Sequence, residues 1–538
     1  MKVLLLGGYG VFGERLARLL LRDGHAVTIA GRNLAAAEAL AKELGCAAAR
    51  MDRRGDPAPL KGHEVVIDAA GPFQAYGDDP YRLPRAAIEA GLHYLDLSDD
   101  ASFCAGVAAL DGMARKAGLC VVSGLSSVPA LSSAAARALA GDERPLVIET
   151  AILPGDRAPR GLSVIAAVLL QVGRPMRVWR GGEWTRARGW SAPRRYRLPG
   201  GLVRQGWRIG APDLALFPAH FGAGTVEFRA GPELALLRYG LAAVAALRRF
   251  APIPASPAVT RGFKLAADLV ARFGGARGGM SVMVVAGRER RWWRLLAEDG
   301  DGPFTPGVAA RALLRRPALP AGAGPALETV TLEEAEAAMA DLNMRFERAS
   351  APFIPLFQQA LGPDFARLPE PVRATHEAAD VSRWRGRAAV SRGEGLWSRL
   401  LGRIFGFPPA GEDIPVEVCK TVNESGETWR RRFGARVFRS HLALGPQGLT
   451  ERFGPFTFLI GLNLRDGALH YPVRSGRLGP LPLPRRLLPV SEAREYVEDG
   501  LFHFDVKLRA PATGDLLVHY RGSLAPAPQG DPRAPDRA

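Results

Sequence analysis

The 538-residue chain has little cysteine, little lysine and no apolar run long enough to cross a bilayer. Its four cysteines, Cys46, Cys104, Cys120 and Cys419, stand far apart, with no C-x-x-C pair and no histidine cluster beside them. That removes a disulfide framework and a zinc site, so no metal is expected and a reducing, cytoplasmic setting is. The longest apolar stretch away from the N-terminus, Tyr239 to Leu247, falls far short of the roughly 20 residues of a membrane helix and reads as a buried helix. Only Lys2 precedes the first strand and no small-residue cleavage site follows it, so no signal peptide is expected. Lysine gives way to arginine throughout. The net charge of +17 is carried by arginines scattered along the whole chain, which argues against a specific nucleic-acid face and leaves peripheral contact with an anionic membrane open.

What is present begins at residue 3. The apolar run Val3-Leu4-Leu5-Leu6 leads into Gly7-Gly8-Tyr9-Gly10-Val11-Phe12-Gly13, and an amphipathic stretch, Glu14 to Leu21, follows. Gly8, Gly10 and Gly13 form G-x-G-x-x-G at a strand-to-helix turn, where a dinucleotide pyrophosphate needs a tight turn, close backbone approach and a helix N-terminus. The second strand, Ala26 to Ala30, ends in Gly31-Arg32-Asn33, where an NAD-specific protein would carry a carboxylate. None is there. The Arg32 guanidinium can instead pair with a 2′-phosphate, which favours NADP over NAD. A helix from Leu34 to Leu44 and a strand from Ala47 to Met51 precede Asp52, and the strand Glu64 to Asp68 ends in Ala69-Ala70-Gly71. Those small residues let ribose and nicotinamide lie against backbone. The cofactor-binding set is thus Gly8, Tyr9, Gly10, Val11, Phe12, Gly13, Gly31, Arg32, Asp52, Ala69, Ala70 and Gly71. Strands at His93 to Ser98 and Cys120 to Gly124, with helices between, complete a Rossmann-type, doubly wound parallel sheet over residues 1–125.

Four motifs, GGYGVFG at 7–13, DAAGPF at 68–73, HYLDLS at 93–98 and the loop Gly124-Leu125-Ser126-Ser127-Val128-Pro129, together resemble the saccharopine dehydrogenase-like reductase family, in its bacterial branch. The resemblance continues through Ala158-Pro159-Arg160-Gly161-Leu162, Phe228-Arg229-Ala230-Gly231 and Gly278-Gly279-Met280 and covers about the first 345 residues. It implies a Rossmann domain, an α/β substrate domain over residues 126–345, and NADP-linked redox chemistry at a carbon bearing nitrogen or oxygen. It does not imply saccharopine as substrate.

Hydride transfer leaves the protein a proton to handle. His93, Tyr94 and Asp96 lie on the strand nearest the expected nicotinamide, and strand alternation puts Tyr94 and Asp96 on one face. Tyr94 and Asp96 are therefore the catalytic candidates. Ser126 and Ser127 lack the second glycine of a nucleophile elbow, which argues against a hydrolase.

In the substrate domain, Trp179, Trp184, Trp190 and Trp207 are candidates for either a pocket or the core. Pro317 to Pro325 lacks periodicity and reads as a boundary, and Arg345 to Pro352 as a linker. Residues 353–525 have different grammar: helices at Pro355 to Leu361 and Glu394 to Phe405, then eight short strands joined by turns such as Asn423-Glu424-Ser425-Gly426. A meander of that length favours a barrel-like closure able to hold one small apolar ligand. His441, His470, His503 and His519 fall on separate strands with no metal spacing. Through Phe407-Pro408-Pro409-Ala410-Gly411-Glu412, Glu451 to Pro455 and Leu481 to Pro484 this segment resembles an uncharacterised bacterial domain family, which supplies no function. Residues 526–538 read as a disordered tail.

The chain thus reads as an NADP-dependent oxidoreductase acting on a small, apolar substrate, with a homodimer left open. A non-catalytic NADP-binding sensor or scaffold, whose C-terminal domain binds a ligand or partner, is the alternative.

Overall fold

The computed structural model describes every residue except Arg160, Pro252, Ile253, Ala255, Glu424, Ala512 and 535–538, together with the backbone only of Ser163, Trp397 and Ile404. The motif residue Arg160, the turn residue Glu424 and the last four residues of the expected tail therefore lie outside the described residues. Two compact units result. One holds Met1–Trp179 and Trp184–Ala351 with the described end of the chain, the other Arg180–Glu183 and Pro352–Asp531.

In the first unit, strands β1 (Lys2–Leu6), β2 (Ala26–Gly31), β3 (Ala47–Arg50), β4 (Val65–Asp68), β5 (His93–Asp96) and β6 (Cys120–Ser123) form a parallel sheet in the order β6-β5-β4-β1-β2-β3. All residues of β4 and β6 are buried, because helices cover both faces and each strand can be apolar throughout. Helix α1 (Val11–Arg22) turns Leu16, Leu19 and Leu20 to the core. The strand order reverses between β1 and β4, which opens a crevice at the carboxyl edge of the sheet.

The expected boundary at 317–325 is corrected. Gly322–Pro325 is a seventh strand that pairs in parallel with β6, Gly322 opposite Cys120 and Pro325 opposite Ser123. An edge strand needs only a backbone ladder, so Gly-Ala-Gly-Pro forms one without any side-chain signal; the Asp111 carboxylate also accepts the Ala323 amide at 2.8 Å. The expected linker at 345–352 is likewise an edge strand, Met344–Pro352, of a second, mixed sheet. In that seven-stranded sheet Pro145–Leu153 and Thr225–Ala230 run parallel, while Gly278–Ala286 runs antiparallel to Pro145–Leu153.

Trp179, Trp190 and Trp207 are core, and Trp184 is half-buried against them. Trp179 donates its indole N–H to the Ala223 carbonyl at 2.7 Å, and Trp190 stacks on Trp207 with centroids 6.1 Å apart. The apolar stretch at 239–247 is not a buried helix. Helix Ala235–Leu247 has no fully buried residue and exposes Leu236, Tyr239 and Leu247. Run length alone does not distinguish a core helix from one with an apolar face toward solvent.

Among the described residues, the second unit is one antiparallel sheet of 13 strands rather than eight, with helices Leu356–Leu361 and Leu396–Phe405. Val381–Arg392, Val473–Leu478 and Val490–Glu498 are strands that arginine-rich or proline-flanked sequence concealed. The sheet curls. Phe433 on Gly426–Phe433 and Phe504 on Leu501–Arg509 sit four strands apart in the sheet order, yet their ring centroids are 6.5 Å apart, against about 19 Å across a flat sheet. The start of the expected tail is ordered: the Ala527 amide donates to the Arg383 carbonyl at 2.8 Å and the Gly530 amide to Gly182 at 2.7 Å.

Candidate functional site

The glycine turn closes on itself. A Cβ on Gly13 would lie 2.3 Å from the Gly7 carbonyl oxygen and 2.9 Å from the Gly8 Cα, and one on Gly7 would meet the Ala69 and Ala70 backbone at 2.8 Å. Gly7 also has φ +74, so the turn and its approach to the end of β4 both require glycine. Helix α1 starts from Gly10 with no side chain capping it, leaving its first amides and positive dipole end to an anion. At the end of β2 the Tyr9 ring covers Gly31, where a Cβ would fall 2.3 Å from the ring, and the Tyr9 hydroxyl accepts the Asn33 amide at 3.2 Å. Arg32 stands exposed beside them. A bare helix start, a cradle without room for Cβ atoms and an exposed guanidinium suit the pyrophosphate and 2′-phosphate of NADP.

Of the remaining cofactor candidates, Val11 and Phe12 are half-buried in the first turn of α1, Ala69 and Ala70 are half-buried and Gly71 is exposed after β4. Asp52 is exposed just after β3, and its Oδ1 accepts the Arg54 amide at 2.9 Å.

Asp96, at the carboxyl end of β5, is fully buried. Its Oδ1 accepts the Ser98 amide at 2.9 Å, the Gly124 amide at 2.8 Å and the Ser123 hydroxyl at 2.9 Å, while Oδ2 accepts nothing. Burial raises the Asp96 pKa to about 7, against the lowering pull of those hydrogen bonds and with help from the Asp68 charge. Tyr94 is buried among Leu4, Leu6 and Val66, its hydroxyl without a partner and its pKa driven up by burial and by Asp96 and Asp68. His93 is at the other end of β5, where its Nδ1 accepts the Cys120 amide at 2.9 Å and joins β5 to β6.

Sequence reasoning missed the charges next to this carboxyl. Arg53 donates to Asp68 at 2.6 Å and lies 3.2 Å over the Tyr76 ring, and the Tyr76 hydroxyl is buried with no partner. An aspartate closing an otherwise apolar strand, as Asp68 does, was the available signal.

The second unit contains a cavity of about 260 Å³ inside the curled sheet. Phe438, Phe458 and Phe502 line it from different strands, and Leu401 and Phe405 of helix Leu396–Phe405 cover part of it. One wall is polar. There Lys420, fully buried, donates to the Thr375 carbonyl at 2.6 Å and faces His376 Nδ1 at 3.4 Å, with the Trp429 ring 4.0 Å away. His376 and Tyr471 both donate to Glu495, at 2.7 and 2.6 Å. Burial and the neighbouring Lys420 lower the His376 pKa to about 4, so its Nε2–H points to Glu495 and its Nδ1 is the acceptor. Of the histidines weighed from sequence, none belongs to this cluster. Among the described residues, no group of three or more His, Cys, Asp or Glu is arranged to hold a metal.

The crevice and its bare glycine turn define a nucleotide-binding Rossmann domain. Residues 3–122 match the family model of the saccharopine dehydrogenase NADP binding domain, which makes NADP the cofactor of this part of the chain; residues 368–524 match a domain of unknown function, DUF4166. Saccharopine dehydrogenase (L-Glu forming) from Saccharomyces cerevisiae aligns at 16% identity over 65% of this chain and 99% of its own, with a TM-score of 0.42. AtPrR2 with NADP+ and (+)pinoresinol aligns at 21% identity over 22% of this chain and 47% of its own, TM-score 0.18. An imine reductase from Myxococcus stipitatus in complex with NAD+ aligns at 19% over 23% of this chain and 39% of its own, TM-score 0.18. Likenesses this distant bear on neither substrate nor reaction. No curated protein matches the chain.

Proposed function

We propose that the chain is an NADP-dependent oxidoreductase acting on a small hydrophobic molecule at a carbon bearing oxygen or nitrogen, with the second unit holding that molecule. The observation that carries the redox reading is the buried Asp96 carboxyl, titrating near neutrality with one oxygen unengaged, at the edge of the sheet that carries the NADP-binding turn. NADP supplies or accepts the hydride when bound. The protein's own residues do the rest: Arg32 holds the 2′-phosphate, the first turn of α1 holds the pyrophosphate, and Gly7, Ala69 and Ala70 keep the crevice open to the ring. Asp96 keeps a proton on or near Oδ2, and Ser123 with the Ser98 and Gly124 amides fixes its other oxygen. Tyr94, enclosed in the apolar cluster, positions β5 and adds its dipole to the field at Asp96 rather than meeting substrate. The four unpaired cysteines favour the cytoplasm.

The complete burial of Asp96 and Tyr94 favours a second reading, an NADP sensor without turnover. Oxidation of NADPH by the pure protein against a panel of apolar aldehydes, ketones and imines separates the two. Turnover that Asp96→Asn reduces while NADPH affinity holds supports the enzyme. NADPH binding with no turnover across the panel sinks it.

A further inference from the structure

The chain contains 64 arginines and seven lysines, and Lys420 is the only buried lysine among the described residues. Where a buried cation is wanted for pairing, this chain uses arginine, as in Arg53 with Asp68 and Arg208 with Glu227. Arginine cannot act as an amine nucleophile; lysine can. Among the described residues Lys420 also lacks the carboxylate partner that a structural lysine takes. Its two hydrogen-bond acceptors are neutral, the Thr375 carbonyl and His376 Nδ1, so loss of one proton to give the amine keeps both hydrogen bonds and frees the nitrogen lone pair. Lys420 lines the cavity together with Tyr471 and Glu495; most of the remaining lining is aromatic and aliphatic, with Arg431, Glu451, Ser491 and Arg494 among its further polar members. Burial lowers its pKa to about 8, with Glu495 and Glu427 opposing that shift.

We infer that the cavity of the second unit receives an aliphatic aldehyde or ketone and that Lys420 captures its carbonyl carbon as a Schiff base. The nitrogen lone pair attacks the carbonyl carbon, forming C–N as the C=O π pair moves to oxygen. The carbinolamine then loses its oxygen: the C–O bond breaks, the two amine hydrogens leave with the oxygen as water, and C=N forms. No oxidant or reductant is consumed. A cavity of about 150 Å³ accommodates benzene, so 260 Å³ accommodates roughly ten carbons. The inference concerns the second unit alone and holds whether or not the first unit reduces the ligand.

The test uses the full chain with decanal and sodium cyanoborohydride, without NADPH, followed by peptide mapping by mass spectrometry. The six other lysines, all exposed or half-exposed, are the internal reference. The expected result is one decyl group on Lys420 at a decanal concentration at least about tenfold below that which labels the others, since a lowered pKa enriches the reactive free amine. 1-Decanol, equal in length and without a carbonyl, should slow labelling of Lys420 and leave the others unchanged. Lys420→Arg should lose the adduct. Lys420 unmodified under conditions that label the reference lysines overturns the inference, and so does labelling that decanol does not slow. Because the decisive map is made on the unsubstituted chain, a variant that fails to fold does not obscure it.

Discussion

Asp96 makes a prediction that tests the site without a substrate. Its carboxyl is raised from the usual 3.8 to about 7 in the folded chain, so the folded state binds its proton more tightly than the unfolded state does. The stabilisation from that proton is complete below about pH 4. It is lost as pH rises toward 7, because the unfolded chain ionises first, and the curve flattens once both states are ionised. A shift of about three units corresponds to about 4 kcal/mol. Asp96→Asn removes the titration while retaining a carbonyl oxygen for the Ser98, Ser123 and Gly124 donors. The appropriate readout is local, because two units need not unfold together: amide exchange in peptides spanning β5 and β6, compared at about pH 5 and about pH 8 with chemical exchange rates corrected. Asp99 and Asp213, also raised by burial, titrate in both proteins and cancel in the comparison. The wild type should lose about 2.5 kcal/mol of protection between those pH values relative to the variant. Parallel pH dependences in the two proteins would refute the placement of a neutral carboxyl here, and with it the proton handler.

Arg32→Ala should weaken NADPH binding by about 1 to 3 kcal/mol and leave NADH binding nearly unchanged, read by nucleotide fluorescence titration. Gly13→Ala puts a methyl group 2.3 Å from the Gly7 carbonyl oxygen, so it should abolish NADPH binding and lower the thermal midpoint of the first unit, measured by calorimetry. In the second unit the pH dependence has the opposite sign to that of Asp96. His376 is lowered to about 4 and Glu495 is also lowered, so the unfolded chain takes up protons first as pH falls. Protease protection of the second unit should therefore decline from about pH 6.5 downward; Glu495→Gln, which removes the carboxylate that holds the His376 pKa up, should keep that decline and should itself cost about 3 kcal/mol at neutral pH by leaving buried donors without their carboxylate.

The first sheet was legible because its constraints are local. A strand that must be apolar on both faces, a turn where any Cβ collides and a helix whose first amides stay bare each leave a mark within seven residues, as at Gly7 to Gly13. Gly322–Pro325 left none, since its role is a backbone ladder set against β6 from 200 residues away in sequence, and a ladder places no demand on side-chain identity. The same reasoning explains why Asp96 and the strand-end Asp68 were visible and the contacts of Arg53 with Asp68 and Tyr76 were not. An acid at a strand end is read from one segment, but an arginine lying over a tyrosine ring while holding an aspartate involves three segments that only the fold brings together. The cluster on the second unit is the extreme case: Thr375 and His376, Lys420, Trp429, Tyr471 and Glu495 come from five places in the chain, and the histidines of the strands drew attention away from the one that precedes them. A buried amine does have a sequence signal here, and it is statistical rather than positional. In a chain that uses arginine for nearly every cation, a lysine on an otherwise apolar-facing strand position, such as Lys420 between Val418 and Val422, marks a place where a guanidinium would not serve, and this is what an amine reserved for a carbonyl requires.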